Sequence, residues 1–194
     1  MGKNIEFLRV TYLRGPNIWT YRPIIEAWVD IGDLEDHPSN TLPGLYERLT
    51  AWLPGLVEHR CGVGERGGFL QRLREGTWTA HILEHVTLEL QNLAAQRTGF
   101  GKARSTSVRG VYKLVVRSRQ EDVTRACLEA GRRLLLAAIE DTPFDIAATV
   151  AEAPEAERKG LAEEFQLFRE SLGDFQFGTT KPYWTQKEKK GKGS

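Results

Sequence analysis

Residues 79–90 read TAHILEHVTLEL. On a helix turning 100° per residue, Ile82, Leu83, Val86, Leu90, Leu93 and Ala94 gather between about 100° and 220° from His81. His85 lies about 40° from His81, Glu84 about −60°, Glu89 about 80° and Asn92 about 20°. The stretch therefore predicts a helix with one apolar side for a core. Its two histidines share the other side with carboxylates. Extended to its polar ends, from about Thr77 to Arg97, this is the longest helical pattern in the chain.

The segments around it supply what that apolar side needs. IEFLRVTYL (5–13) has the β-branched and aromatic content of a strand, and Gly15-Pro16-Asn17 breaks it. PIIEAWVDIG (23–32) predicts a second strand ending at Gly32. In GLYERLTAWL (44–53), Leu45, Leu49, Trp52 and Leu53 share a helix face, and Pro54-Gly55 ends that helix. Next comes a glycine-dense loop, RCGVGERGGF (60–69). After the central helix, VRGVYKLVVRS (108–118) reads as a strand. EDVTRACLEAGRRLLLAAIED (121–141) reads as a helix with Val123, Ala126, Cys127, Ala130 and Leu134 at helical spacing. A final helix is expected after Pro154. The order predicts an α+β domain, a largely antiparallel sheet with helices packed on one face. Residues 1–172 are expected to form this domain and 173–194 a disordered basic tail.

The 194 residues carry a net charge of +1, with 40% hydrophobic and 27% charged residues. That is long enough to bury a core without staples. The balanced charge gives no field for nucleic acid. Neither a membrane span nor a secretory leader is expected, so the compartment predicted is the cytoplasm, with Cys61 and Cys127 as free thiols.

Two of the chain's four histidines stand at His81 and His85. Imidazoles at i and i+4 can reach one ion, and His-x-x-Glu-His is the inverted form of the zinc-protease helix. Zn2+ is the metal inferred, and Glu84 is then placed to act as general base. Two ligands are too few. Cys61, in the loop ahead of the helix, is the first candidate for the third. Glu89 is the second, or else a partner for a histidine's far nitrogen, and His59 is the third. The plain alternative is a solvated helix face with incidental histidines. Cys127, in an apolar stripe, reads as core.

LRGPNIW, HPSNTLPGLYERL, RGGFLQRLREGTWTAHILEHVTLELQNLA, GFGKAR and GVYKLVV, in this order, resemble the N-terminal domain of cyanophycin synthetases from about residue 5 to 170. Cyanophycin is a poly-aspartate chain with arginine joined to each side chain by an isopeptide bond. The resemblance implies a cyanophycin-handling domain. In family members of the cutting type it carries a metallopeptidase-like site that shortens the polymer into primers. His81, Glu84, His85 and Cys61 match that type. The expected reaction is endo-hydrolysis of main-chain amides. Glu58, Glu65 and Glu89 are candidates for guanidinium, and Arg66, Arg72 and Arg104 for carboxylates. Arg74 is a further arginine near the site. Trp19 and Trp78 could stack on guanidinium, although core packing is the expectation for each. Family synthetases also carry ATP-grasp and Mur-ligase-like domains, for which this sequence has no room, so no ligase activity is expected. Partners implied are the polymer, the ligase domains of a synthetase and, as an open point, further copies of the chain. Two alternatives stay open: a non-catalytic polymer-binding module, and a domain with a closed structural metal.

Overall fold

The computed structural model describes residues 4–151. Strands β1 (Glu6–Leu13), β2 (Ile24–Asp30), β3 (Gly101–Ser105) and β4 (Val111–Arg117) form one antiparallel sheet in the order β1-β2-β4-β3. The helices are α1 (Leu45–Trp52), α2 (Gly68–Glu75), α3 (Thr79–Leu93), α4 (Glu121–Glu140) and α5 (Ile146–Ala151). Short 3-10 turns at Pro54–Glu58 and Cys61–Val63 link α1 to α2. The fold is α+β, as the sequence predicts.

Strand alternation decides which side is core. Ile25, Ala27 and Val29 of β2 and Leu114 and Val116 of β4 face the helices and join Leu83, Val86, Leu128 and Leu135 in one buried cluster. The residues between them serve the other face. There Trp28 lies between the Arg9 guanidinium and the Lys113 ammonium, 5.1 and 4.6 Å from its ring centre. Buried Glu26 accepts from Trp19 Nε1 at 2.8 Å. No helix among the described residues is long and apolar enough to cross a membrane.

Several expectations are revised. Among the described residues the longest helix is α4, 20 residues against 15 for α3. The glycine-dense loop gives way at Gly68 to a helix, α2, because Gly67 takes a left-handed φ of +82° that turns the chain into it. GKARS forms the edge strand β3, which has no apolar alternation to announce it. Leu93 is exposed at the end of α3, and Ala126 is exposed on α4. Trp78 is 47% exposed and is no core residue. The largest revision concerns the polar side of α3. It is not solvated: Glu84, His85 and Glu89 are only 6%, 5% and 7% exposed. The segment from Pro54 to Phe69 and strand β3 cover it, and a helical wheel cannot see such distant neighbours. The helix expected after Pro154 and the tail at 173–194 lie outside the described residues.

Candidate metal centre and cleft

His81 and His85 project from α3, one turn apart. A short chain of bonds fixes the first. His81 Nδ1 is 2.7 Å from Thr77 Oγ1. Thr77 is held in turn: its N–H donates to Ser39 Oγ at 2.8 Å, and Ser39 Oγ donates to the Leu73 carbonyl at 2.7 Å. The loop 37–44 thus braces the entry to α3. With Nδ1 so occupied, His81 turns Nε2 toward Cys61 Sγ, 3.2 Å away. Cys61 reaches this position with a φ of +51°, a left-handed conformation that non-glycine residues seldom adopt and that costs energy.

His85 is fixed by other partners. Its ring stacks on Phe69, centres 4.1 Å apart and planes 21° apart. Its Nδ1 lies 2.9 Å from His59 Nδ1, and His59 Nε2 lies 3.0 Å from Glu89 Oε2. Of two facing ring nitrogens one must donate and one accept. The Glu89 carboxylate accepts from His59 Nε2–H. His59 Nδ1 is then the bare acceptor and His85 Nδ1–H the donor, which leaves His85 Nε2 bare.

The donor atoms of Cys61, His81 and His85 lie within 4.8 Å of one another. A thiolate and two imidazoles are a donor set suited to zinc. The outer nitrogens are already satisfied, and the set therefore fits a single cation. Burial drives protons off both rings: the His81 pKa falls to about 4, helped by the Arg72 charge, and that of His85 to about 2, helped by His81 and His59.

Glu84 stands on the same helix against β3. Burial pushes its pKa up to about 8, partly offset by the hydrogen bond it accepts from the Ala103 N–H. A methyl group on Gly101 would stand 2.6 Å from Glu84 Oε1, so glycine is what admits the carboxylate here. Glu84, His81, His85 and Cys61 all line one cavity of about 1040 Å³. Arg60, Lys102 and Arg104 bring cations to it, and Glu58 and Glu89 carboxylates.

The proposed site residues thus divide. Cys61, His81, Glu84, His85 and Glu89 come together with His59, and Arg104 lines the same cleft. Glu65, Arg66 and Arg72 are not on its wall. Arg66 grips exposed Glu58 with two nitrogens, Nε 2.9 Å from Oε1 and Nη2 2.5 Å from the same oxygen, while Arg72 influences His81 through its charge. Arg74 lies over the Tyr46 ring. Trp19 sits 5.9 Å from the Arg104 guanidinium, and Trp78 Nε1 donates to the Glu35 carbonyl at 3.3 Å. Sequence reasoning missed Thr77, Phe69, Arg60, Lys102 and Ala103. A signal existed for some: Arg60 adjoins Cys61, and Lys102 and Ala103 belong to GFGKAR.

An α+β domain with a half-buried Cys–His–His cluster lining a charged cleft is the class that fold and site define. The chain belongs to the cyanophycin synthase-like N-terminal domain family, whose pattern matches residues 26–140. It is 43% identical over 144 residues to a cyanophycin synthetase of Synechocystis sp., covering 73% of this chain and 16% of that protein. It is 46% identical over 132 residues to that of Crocosphaera subtropica, covering 67% of this chain and 15% of that protein. The chain thus spans about a sixth of the length of these relatives.

Proposed function

We propose that this domain is a zinc-dependent hydrolase that cuts main-chain amides inside cyanophycin and yields shorter chains able to prime synthesis. The observation that carries the reading is the convergence of Cys61, His81 and His85 within 4.8 Å on a cleft that Glu84 also lines. Membership of the family supports the polymer as the substrate.

Cys61, His81 and His85 would hold the ion, each imidazole through Nε2. The bound cation would supply Lewis acidity, polarising the amide carbonyl and acidifying water. Glu84 accepts the proton of the attacking water and delivers it to the leaving nitrogen. Its burial favours the protonated form that the second transfer needs, and the charge of a cation held by Cys61, His81 and His85 would favour the ionised form that the first needs. His59 and Glu89 hold His85 in the right tautomer. Thr77 does this for His81. Arg60, Lys102 and Arg104 would meet the free carboxylate of each arginine branch, while Glu58, already paired with the Arg66 guanidinium in the structure, is an exposed carboxylate on the cleft wall for a substrate guanidinium in its place.

The unit proposed is residues 1–172, acting in the cytoplasm, where Cys61 and Cys127 stay reduced; both are free thiols in the structure. Ligase domains of a synthetase and further copies of the chain are its proposed protein partners. The test is direct. Purified polymer incubated with the protein shortens on a gel when zinc is present, and neither chelator-treated protein nor Glu84→Gln shortens it. Bound polymer of constant length would identify a non-catalytic binding module instead.

A further inference from the structure

We infer that the free edge of β3 is the docking line for the polymer's main chain, which adds to the sheet as a fifth strand beside the cleft. The inference rests on the hydrolase reading for its choice of substrate, but on different observations for its geometry.

β3 ends the sheet, and among the described residues only β4 pairs with it. Its hydrogen-bonding parity follows from its two ends. Arg117 N–H donates to the Phe100 carbonyl at 2.9 Å, and Thr106 N–H donates to the Val111 carbonyl at 3.1 Å. An antiparallel ladder alternates, so Phe100, Lys102, Arg104 and Thr106 turn their amides toward β4. Gly101, Ala103 and Ser105 turn theirs outward. The Ala103 N–H agrees, since it bonds Glu84 and not β4. Gly101, Lys102, Ala103 and Arg104 all line the cleft. With the Ala103 N–H held by Glu84, the outward N–H groups of Gly101 and Ser105 and the outward carbonyls of this row are what a strand edge offers as a template for another extended chain.

The edge is also shaped for a bulky, uniform substrate. On the side of α3 it offers only the small residues Gly101, Ala103 and Ser105, so no bulky side chain of β3 stands between a passing main chain and Glu84. On the other side Lys102 and Arg104 project, with Arg104 near Trp19 and Lys102 5.6 Å from the Phe100 ring. A poly-aspartate backbone is a true polypeptide chain whose branches alternate from face to face once it is extended. Branches on the Lys102 and Arg104 side bring carboxylates to two cations. Those on the α3 side pass Cys61, His81 and His85. The Ala103 N–H keeps Glu84 at the same edge, so the docked chain runs beside the group that handles protons.

The probe is a set of short β-aspartyl-arginine oligomers, each with one main-chain amide N-methylated, the position moving along the chain. Binding to the wild-type protein in zinc-containing buffer is read by calorimetry. The expected profile has period two: methylation weakens binding about tenfold at alternate amides and leaves those between nearly unchanged, one or two main-chain bonds being worth that much. A flat profile, or no binding of the parent oligomer, overturns the docking line. Ser105→Pro supplies a second arm, because that N–H points away from β4 and proline is tolerated on such an edge. It should weaken oligomer binding about tenfold with zinc affinity unchanged. A Ser105→Pro protein that folds and binds oligomer as wild type counts against the docking line, and one that fails to fold leaves the decision to the N-methyl profile. Alternation without cleavage would sink the hydrolase reading and keep the docking line; cleavage with a flat profile would do the reverse.

Discussion

Glu84 is the residue at which structure and chemistry pull hardest against each other. Without a cation its carboxyl keeps its proton up to a pH of about 8 in the folded protein and loses it near 4.5 when unfolded. Between those values the folded state holds more protons, so rising pH drains stability. Glu84→Gln removes this drain and still lets the Ala103 N–H donate to a side-chain oxygen. The metal-free variant should therefore be more stable than metal-free wild type at pH 8, by on the order of 2–4 kcal/mol, with the gap closing toward pH 4.5. The histidines act in the opposite sense. Their folded pKa values lie below the ordinary 6.5, so they cost stability as pH falls below 6.5. Both proteins share that loss, and the difference between their denaturation midpoints isolates Glu84; a difference independent of pH would refute the assignment. His59 is the second residue worth changing. His59→Gln breaks the relay from Glu89 to His85 Nδ1 while leaving all three donor atoms in place. Loss of such a partner weakens metal binding by about 10- to 100-fold, which zinc titration against a chelator of known affinity would measure.

At the scale of elements, the site is a meeting of α3 with two pieces of chain that cover its polar side, the segment 54–69 and strand β3. Gly101→Ala tests the second contact. The added methyl would stand 2.6 Å from Glu84 Oε1, so the carboxylate must move. A displacement near 1 Å in a proton-handling group can cost about 100-fold in rate. Cleavage should fall by that order with zinc affinity unchanged, and a normal rate would show that Glu84 has room to spare. These covering pieces are also where sequence reading stops short. The faces of α1 and α4 and the alternation of β2 and β4 are local patterns, and local patterns are what a sequence shows. That Cys61, His81 and His85 could share an ion beside Glu84 was legible because residue type and the i, i+4 spacing suit that chemistry. The burial of Glu84 and the relay through His59 were not. They depend on segments distant in sequence, around His59 and Gly101, folding over α3, which no periodicity encodes. Strand β3 escaped because GKARS is short, charged and half-exposed, as a sheet edge tends to be.

At the scale of the whole molecule, the question is whether the fold needs its metal. The buried cluster runs from Ile5 on one side of the sheet to Ile139 at the end of α4. α3 and α4 pack closely where Gly131 meets Thr87, with space for a methyl group only 3.1 Å from Thr87 Oγ1. Cys61 packs against the outside of this cluster and His85 stacks on its Phe69, but none of Cys61, His81 and His85 is a member of it. The cluster side chains are moreover satisfied without an ion: Thr77 and His59 serve the outer nitrogens, and Phe69 supports the rings. The metal-free protein should accordingly stay folded at room temperature. Metal should only add stability by mass action, about 4 kcal/mol when its free concentration is 1,000 times the dissociation constant. For a chain of this size that is roughly 8–16 °C in melting temperature. Calorimetry with and without chelator, beside circular dichroism at 25 °C, checks both halves. If chelator alone erased the helical signal at 25 °C, the ion would be a fold-forming element like that of a zinc finger. A fold that stands by itself leaves the cluster free to keep an open position for substrate.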